Sequence, residues 1–139
     1  MDYLQKYDYV PAADEITRRI EAIAYSLDSM ATPESLKKCF SIMDLTTLHT
    51  NDTEASVIKL VDKVNNLPSK YPDYPLPASI CVFPNFAHVV RAHRSSEDVH
   101  VTTVSSCFPS AQSFLEVKVK ECEMAVEDGA DEIDIVLAL

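Results

Sequence analysis

Glycine is almost missing from this chain: Gly129 is the single copy in 139 residues. A backbone that wraps closely around phosphate needs several, so neither a G-x-G-x-x-G turn nor a Walker A loop can be built here. Positive charge is scarce too. Twelve Lys and Arg stand against 22 Asp and Glu, a formal net charge of −10. Nucleic-acid binders carry basic patches, and membrane-surface helices carry Lys and Arg on their polar face. No apolar run approaches the ~20 residues of a membrane span. The opening "MDYLQKYDYVPAADE" is acidic and lacks the apolar stretch of a signal peptide. The expectation is a soluble, cytoplasmic protein with neither nucleic acid nor membrane as partner.

Paired metal or disulfide motifs are absent as well. Cys39, Cys81, Cys107 and Cys122 are scattered, with no C-x-x-C pair. They read as reduced, buried small hydrophobes. His49, His88, His93 and His100 lack metal-site spacing, and His88 and His93, five apart, miss a common helical face. No metal and no cofactor are expected. What remains is a globular composition: 47% hydrophobic residues, in a chain long enough to bury a core without staples.

The first 38 residues read as a separate helical extension. Ile16, Ile20, Ile23, Ala24 and Leu27 recur at helix spacing. Thr32-Pro33-Glu34 reads as a cap with Pro at the first helical position. From residue 39 to 139 strands alternate with helices. "CFSIMDLTTL" is an apolar run expected as the first strand. Asp52-Thr53-Glu54 caps a helix to about Val64, and "NNLPSKYPDYPLP" is a loop. "ASICVFP" is the second strand, followed by a short helix over 85–94. "VHVTTVSS", rich in β-branched residues, is the third. A helix opening at Ser113 carries Leu115, Val119, Cys122 and Val126 as its apolar stripe, with Glu116 and Lys120 paired on its exposed side. Gly129 is placed as the left-handed residue after it. "DEIDIVLAL" is the fourth strand.

Alternating strands and helices make a parallel sheet with right-handed crossovers. Two α/β architectures fit: a small doubly wound sheet, or the first half of a TIM (β/α)8 barrel. Side chains alternate across a strand. Glu132, Asp134 and Val136 share one face of the fourth strand, and Ser79, Cys81 and Phe83 one face of the second. Phe40, Ile42, Asp44 and Thr46 share one face of the first. If the polar faces converge, Asp44, Cys81 and Asp134 line one interior, and two acids there call for protons or a cation. The alternative is that both acids sit solvated at strand ends.

Three stretches, "MDLTTLHTNDTEASVIKLV", "ASICVFPNF" and "VTTVSSCFPSAQSFLEVKVKECEMAVEDGADEIDIV", together resemble deoxyribose-phosphate aldolases, in order and correctly spaced over about residues 40–139. The resemblance implies a (β/α)8 barrel that cleaves 2-deoxyribose 5-phosphate to glyceraldehyde 3-phosphate and acetaldehyde. It implies a class I mechanism, in which a lysine amine forms a Schiff base and no metal is needed. By position, Asp134 matches the family's catalytic aspartate, and Asp44 an interior acid beside the second active-site lysine. Thr46, Leu48, Cys81 and Phe108 match positions lining the substrate pocket. The family's two lysines lie on its sixth and seventh strands, and its phosphate grip on the last loops, whereas this sequence runs to the fourth strand. Ser105, Ser106 and Ser110 surround Phe108-Pro109 where the family often has Gly.

The expectation is therefore the N-terminal half of such an aldolase, inactive alone, acting on a sugar phosphate once complete and self-associating as a homodimer. A second reading is a non-catalytic half-barrel module that pairs with itself or another half. A third, a phosphoryl-accepting signalling domain, wants an acidic pair after the first strand, where "IMDLTTL" offers only Asp44.

Overall fold

The structure, a computed structural model, describes residues 12–138. The acidic opening, residues 1–11, lies outside them. The chain divides into two compact units, Met1–Leu36 and Lys37–Leu139. The first contains helix α1 (Ala13–Met30), which carries the Ile16, Ile20, Ile23 and Leu27 stripe. Helix α2 (Pro33–Ser41) begins in the first unit. The Ser35 N–H donates to Thr32 Oγ1 at 3.2 Å, so Thr32 caps it as its sequence indicates.

The second unit holds β1 (Asp44–Thr46), α3 (Glu54–Asn65), the single turn α4 (Leu67–Lys70) and β2 (Ser79–Val82). A 3₁₀ turn (Pro84–Phe86) follows, then α5 (Ala87–His93), β3 (His100–Ser105), α6 (Leu115–Glu127) and β4 (Glu132–Ile135). The four strands pair in parallel, in the order β1-β2-β3-β4.

That order decides between the two architectures. Crossovers of one hand in unbroken sequence order put every helix on the same side of the sheet. The packing agrees: Val57, Val61 and Val64 of α3, Val89 and Val90 of α5 and Ala125 of α6 form one core with Ile80, Val82 and Val101. Leu45 and Ile133 pack against it. The strand residues involved all lie on one face, by register Leu45–Ile80–Val101 and Thr103–Ile133. A doubly wound sheet would divide its helices between both faces. This sheet is the first half of a (β/α)8 barrel, and its other face is the barrel interior.

Local chemistry sets the helix ends. Thr53 and Ser56 form a reciprocal capping box at the start of α3. Helix α6 ends in a Schellman turn, with the Ala130 N–H donating to Ala125 O and the Gly129 N–H to Val126 O, both at 3.0 Å. Gly129 takes φ +106°, as expected from its position. Asp131 then locks the entry to β4. It accepts from Arg91 at 2.7 Å, Arg94 at 2.9 Å and the Val101 N–H at 3.0 Å. Burial opposes its charge, but the Val101 N–H and the two guanidiniums hold its carboxyl below the usual range.

Several expectations need correcting. Of the four cysteines expected to be buried, Cys81 alone is; Cys39 is exposed, and Cys107 and Cys122 are half-buried. The first strand was expected over 39–48 but is three residues long. Helix α2 runs on through Cys39–Ser41 and unwinds in a turn, Ile42 N–H to Cys39 O and Met43 N–H to Phe40 O. Phe40 and Ile42 therefore do not share the β1 face with Asp44. The stripe expected to bury α6 also fails: Leu115, Val119 and Val126 are exposed, and Ala125 is the buried residue of that helix. The stripe faces sideways, past the edge of the sheet at β4, where no strand or helix of the second unit's described residues covers it. Lys120 pairs with Glu123 at 3.1 Å rather than with Glu116.

A side chain at position 129 would meet Arg91 Cγ at 3.2 Å, in a backbone region that costs an L-residue ~1–2 kcal/mol. Gly129→Ala should lower the free energy of unfolding by about that amount, measured by urea titration. An unchanged midpoint would mean that the turn does not constrain the entry to β4.

Candidate active site

Alternation from the register places Asp44 and Thr46 of β1, Ser79 and Cys81 of β2, His100, Thr102 and Val104 of β3, and Glu132 and Asp134 of β4 on the bare face. The face that α3, α5 and α6 do not cover is thus the one that carries the acids. Asp44, Cys81 and Asp134, expected on one interior, do lie on one face.

The two acids differ in their surroundings. Asp44 Oδ1 lies 2.8 Å from Ser79 Oγ, and a row of contacts continues from there. Ser79 Oγ is 2.9 Å from Thr102 Oγ1, which is 2.7 Å from Glu132 Oε2. Glu132 Oε1 is 2.7 Å from His100 Nδ1. The hydrogen bonds from His100 and then Thr102 hold the Glu132 carboxyl below the usual range. Asp134 stands higher on its strand and has no such row. Neither Asp44 nor Asp134 meets a Lys or Arg among the described residues. The four strands contain no lysine, and Lys118 and Lys120 belong to α6 on the opposite side of the sheet.

Cys81 lies between the acids. It is 3% exposed, and this burial is the main reason that its thiol is pushed up. The negative charges of Asp134 and Asp44 push the same way, while a hydrogen bond with Thr46 opposes them. A thiol raised in this way is less ionised than that of a free cysteine.

Two expected site residues, Leu48 and Phe108, are not on strands. Leu48 is half-buried in the segment after β1, and Phe108 follows β3. Both sit beyond the C-terminal ends of their strands, the end at which barrel enzymes carry their chemistry. Phe108 meets Phe83 edge-on, ring centroids 6.4 Å apart. The loop that holds it is strained: Ser106, Cys107 and Ala111 take φ of 64°, 60° and 54°. These are conformations that L-residues adopt at a cost. Glu121 of α6 anchors the loop by accepting from the Cys107 N–H at 2.7 Å.

Sequence reasoning missed Thr102 and His100 as partners of the acids. Alternation alone had carried Ser79 to the Cys81 face and Glu132 to the Asp134 face. What it lacked was the register between strands, which sets the Asp44–Ser79–Thr102–Glu132 row side by side. Among the described residues no group of three or more His, Cys, Asp or Glu side chains is placed to hold a metal ion. No helix among them is long and apolar enough to cross a membrane.

Comparison with known proteins points in one direction. A candidate deoxyribose-phosphate aldolase of Caenorhabditis elegans is 32% identical over 126 residues, which are 89% of this chain and 41% of that protein. Among solved structures, the tetrameric deoxyribose phosphate aldolase of Aeropyrum pernix aligns with a TM-score of 0.61 and 29% identity. The alignment covers 93% of this chain and 47% of that one. A candidate deoxyribose-phosphate aldolase of Coccidioides immitis aligns with a TM-score of 0.61 and 25% identity, over 73% of this chain and 36% of its own. No protein-family model matches the chain. The chain is similar to deoxyribose-phosphate aldolases and spans less than half the length of these relatives.

The shared face has a measurable consequence. Asp134→Asn removes one charge that raises the Cys81 thiol. At fixed pH near 8 its thiolate fraction should rise, and alkylation of Cys81 should quicken by roughly two- to five-fold, equivalent to ~0.4–1 kcal/mol. Peptide-resolved mass spectrometry reads this directly, with exposed Cys39 as the internal standard. Equal Cys81 rates in both proteins would separate Asp134 from that interior.

Proposed function

We propose that this chain is the N-terminal half of a Schiff-base aldolase that cleaves 2-deoxyribose 5-phosphate to glyceraldehyde 3-phosphate and acetaldehyde. The observation that carries this reading is the convergence of Asp44, Cys81 and Asp134 on the one face that the helices leave bare. The names of the relatives support it.

The chemistry follows from the acids. Aldol cleavage through an imine needs a cationic electron sink and a group that moves protons at the adjacent carbon. The sink is a lysine amine from the remaining half of the barrel. Asp134, with no hydrogen-bond partner among the described residues, is free to take up and return that proton. Asp44 serves as the interior acid beside a second lysine, whose charge lowers the amine pKa of its neighbour. Thr46, Leu48, Cys81 and Phe108 shape the pocket. The −10 chain has little to attract a phosphate, which is consistent with a grip on the later loops.

A second reading, a half-barrel that pairs with another copy of itself, is favoured by one observation. A groove of about 780 Å³ runs between the exposed stripe of α6 and the end of β4, lined by Leu115, Val119, Val126, Ile135 and Leu137 among others. In the aldolase reading the next β/α unit fills it; in the second, a partner copy does. A two-fold dimer is the commonest closed form. Sedimentation at several concentrations should show this chain alone dimerising through that face. A monomer at every concentration, with no exposed apolar surface by dye binding, would end the dimer reading.

Two experiments address the aldolase reading. Borohydride reduction of this chain with deoxyribose phosphate should add no mass, since the imine-forming lysine lies in the other half. In the complete protein the same treatment should label one lysine, and Asp134→Asn should cut turnover by ~10²–10⁴-fold with the fold intact. Full turnover in that variant would remove Asp134 from the mechanism.

A further inference from the structure

The loop that carries Phe108 is built without glycine. Ser106, Cys107 and Ala111 take φ of 64°, 60° and 54°. Glycine enters this left-handed region freely, and other L-residues enter it at a cost. The one glycine of the chain is Gly129, on the far side of α6. Two of the strained residues are consecutive and stand immediately before Phe108. Such a conformation persists only where the surroundings impose it.

The surroundings here are two successive residues of α6. Glu121 Oε2 accepts from the Cys107 N–H at 2.7 Å, and Cys122 Sγ lies 3.7 Å from Ser106 Oγ. A carboxylate oxygen is a strong acceptor for a backbone N–H, whereas sulfur is a weak partner for a hydroxyl. Glu121 is half-buried, and among the described residues this is its one hydrogen bond. The neighbouring Lys120 is engaged by Glu123 at 3.1 Å. The Cys107 carbonyl in turn accepts from the Ala111 N–H at 2.9 Å. Cys107 is therefore tied to the helix through its N–H and to the far end of the loop through its C=O. Phe108 lies between these ties, and its ring meets that of Phe83 beyond the C-terminal ends of β2 and β3.

We propose that Glu121 is a positioning residue for Phe108: by holding the Cys107 N–H it fixes the strained loop and sets where the Phe108 ring stands. A helix packed on the outside of the sheet thereby shapes the open end of the interior face. The placing of the ring is a property of this chain. That the ring bounds a substrate pocket rests on the aldolase reading.

Two variants separate the acceptor oxygen from the rest of the side chain. Glu121→Gln keeps an oxygen that accepts from an N–H; Glu121→Leu keeps the bulk and the helix propensity without it. In the 139-residue chain with labelled phenylalanine, a nuclear Overhauser contact should join the Phe83 and Phe108 rings. Glu121→Gln should retain it and Glu121→Leu should lose it. Exchange of the Cys107 amide should quicken by at least about tenfold in Glu121→Leu alone. Protection of the strand amides checks folding, and Glu121→Ala takes the place of a leucine variant that does not fold. A folded variant without the oxygen that keeps the ring contact overturns the proposal. So does loss of the contact in Glu121→Gln, its absence from the unmodified chain, or unfolding of both Glu121→Leu and Glu121→Ala, which would make Glu121 a stability residue. In the complete protein Glu121→Leu should raise KM for deoxyribose phosphate by about three- to tenfold, the loss of one aromatic contact, and more than it lowers kcat. Glu121→Gln should restore both. An unchanged KM beside a lost ring contact overturns the role in the pocket. A complete protein with no aldolase activity ends the aldolase reading instead, and the ring contact still decides the part played by Glu121.

Discussion

Sequential strand order is the constraint from which the rest follows. With β1, β2, β3 and β4 adjacent and parallel, crossovers of one hand leave α3, α5 and α6 on a single side. Each strand then faces two different environments. Leu45, Ile80, Val82, Val101 and Ile133 meet helices and build the core. Their alternates face the other way, and the polar residues of this sequence are concentrated there. A one-residue slip in any strand would expose a core residue, and in β1 or β4 it would also bury a carboxylate under a helix. The apolar face therefore fixes the geometry of the polar one.

The polar face is unusual for a barrel interior, which is commonly filled by branched apolar side chains. Here it holds three carboxylates, two buried hydroxyls and a thiol. Near the strand starts, Asp44 and Glu132 are tied into a continuous row with His100 at its end. Nearer the strand ends, Asp134 has no hydrogen-bond partner among the described residues. This separation suits two roles. An acid in a row is held in place by its neighbours, whereas an acid with no partner among the described residues is available to something that enters the interior. Cys81, its thiol pushed up first by burial and then by the charges of Asp134 and Asp44, lies between the two levels.

Much of this could be read in the sequence, for physical reasons. Gly129 announced the end of α6, because only that residue sits easily at positive φ. The β-branched run at 99–106 announced β3, and alternation announced the faces of β2 and β4. Two misreadings share one cause: an apolar pattern reports that a residue will be buried, not what will bury it. Phe40 and Ile42 extended the apolar run of β1 although the helix begun at Pro33 had not ended. Leu115, Val119 and Val126 have helical period, yet their cover is not the sheet beneath α6 but whatever lies beyond β4. The hydrogen-bonded row was invisible for a different reason. Ser79, Thr102 and Glu132 are 23 and 30 residues apart in sequence, and only strand register brings their oxygens together.

The division of the sheet into a covered face and a bare one can be measured at single positions. Cysteines introduced one at a time by Leu45→Cys and Ile133→Cys would lie under the helices. Those introduced by Thr46→Cys and Asp134→Cys, each one residue along, would lie on the interior face. Alkylation of the folded chain, followed by peptide-resolved mass spectrometry, should modify positions 46 and 134 at least about tenfold faster than 45 and 133, which react only through local opening. Equal rates within each neighbouring pair, or faster reaction at 45 and 133, would contradict the one-sided sheet and with it the shared interior of Asp44, Cys81 and Asp134.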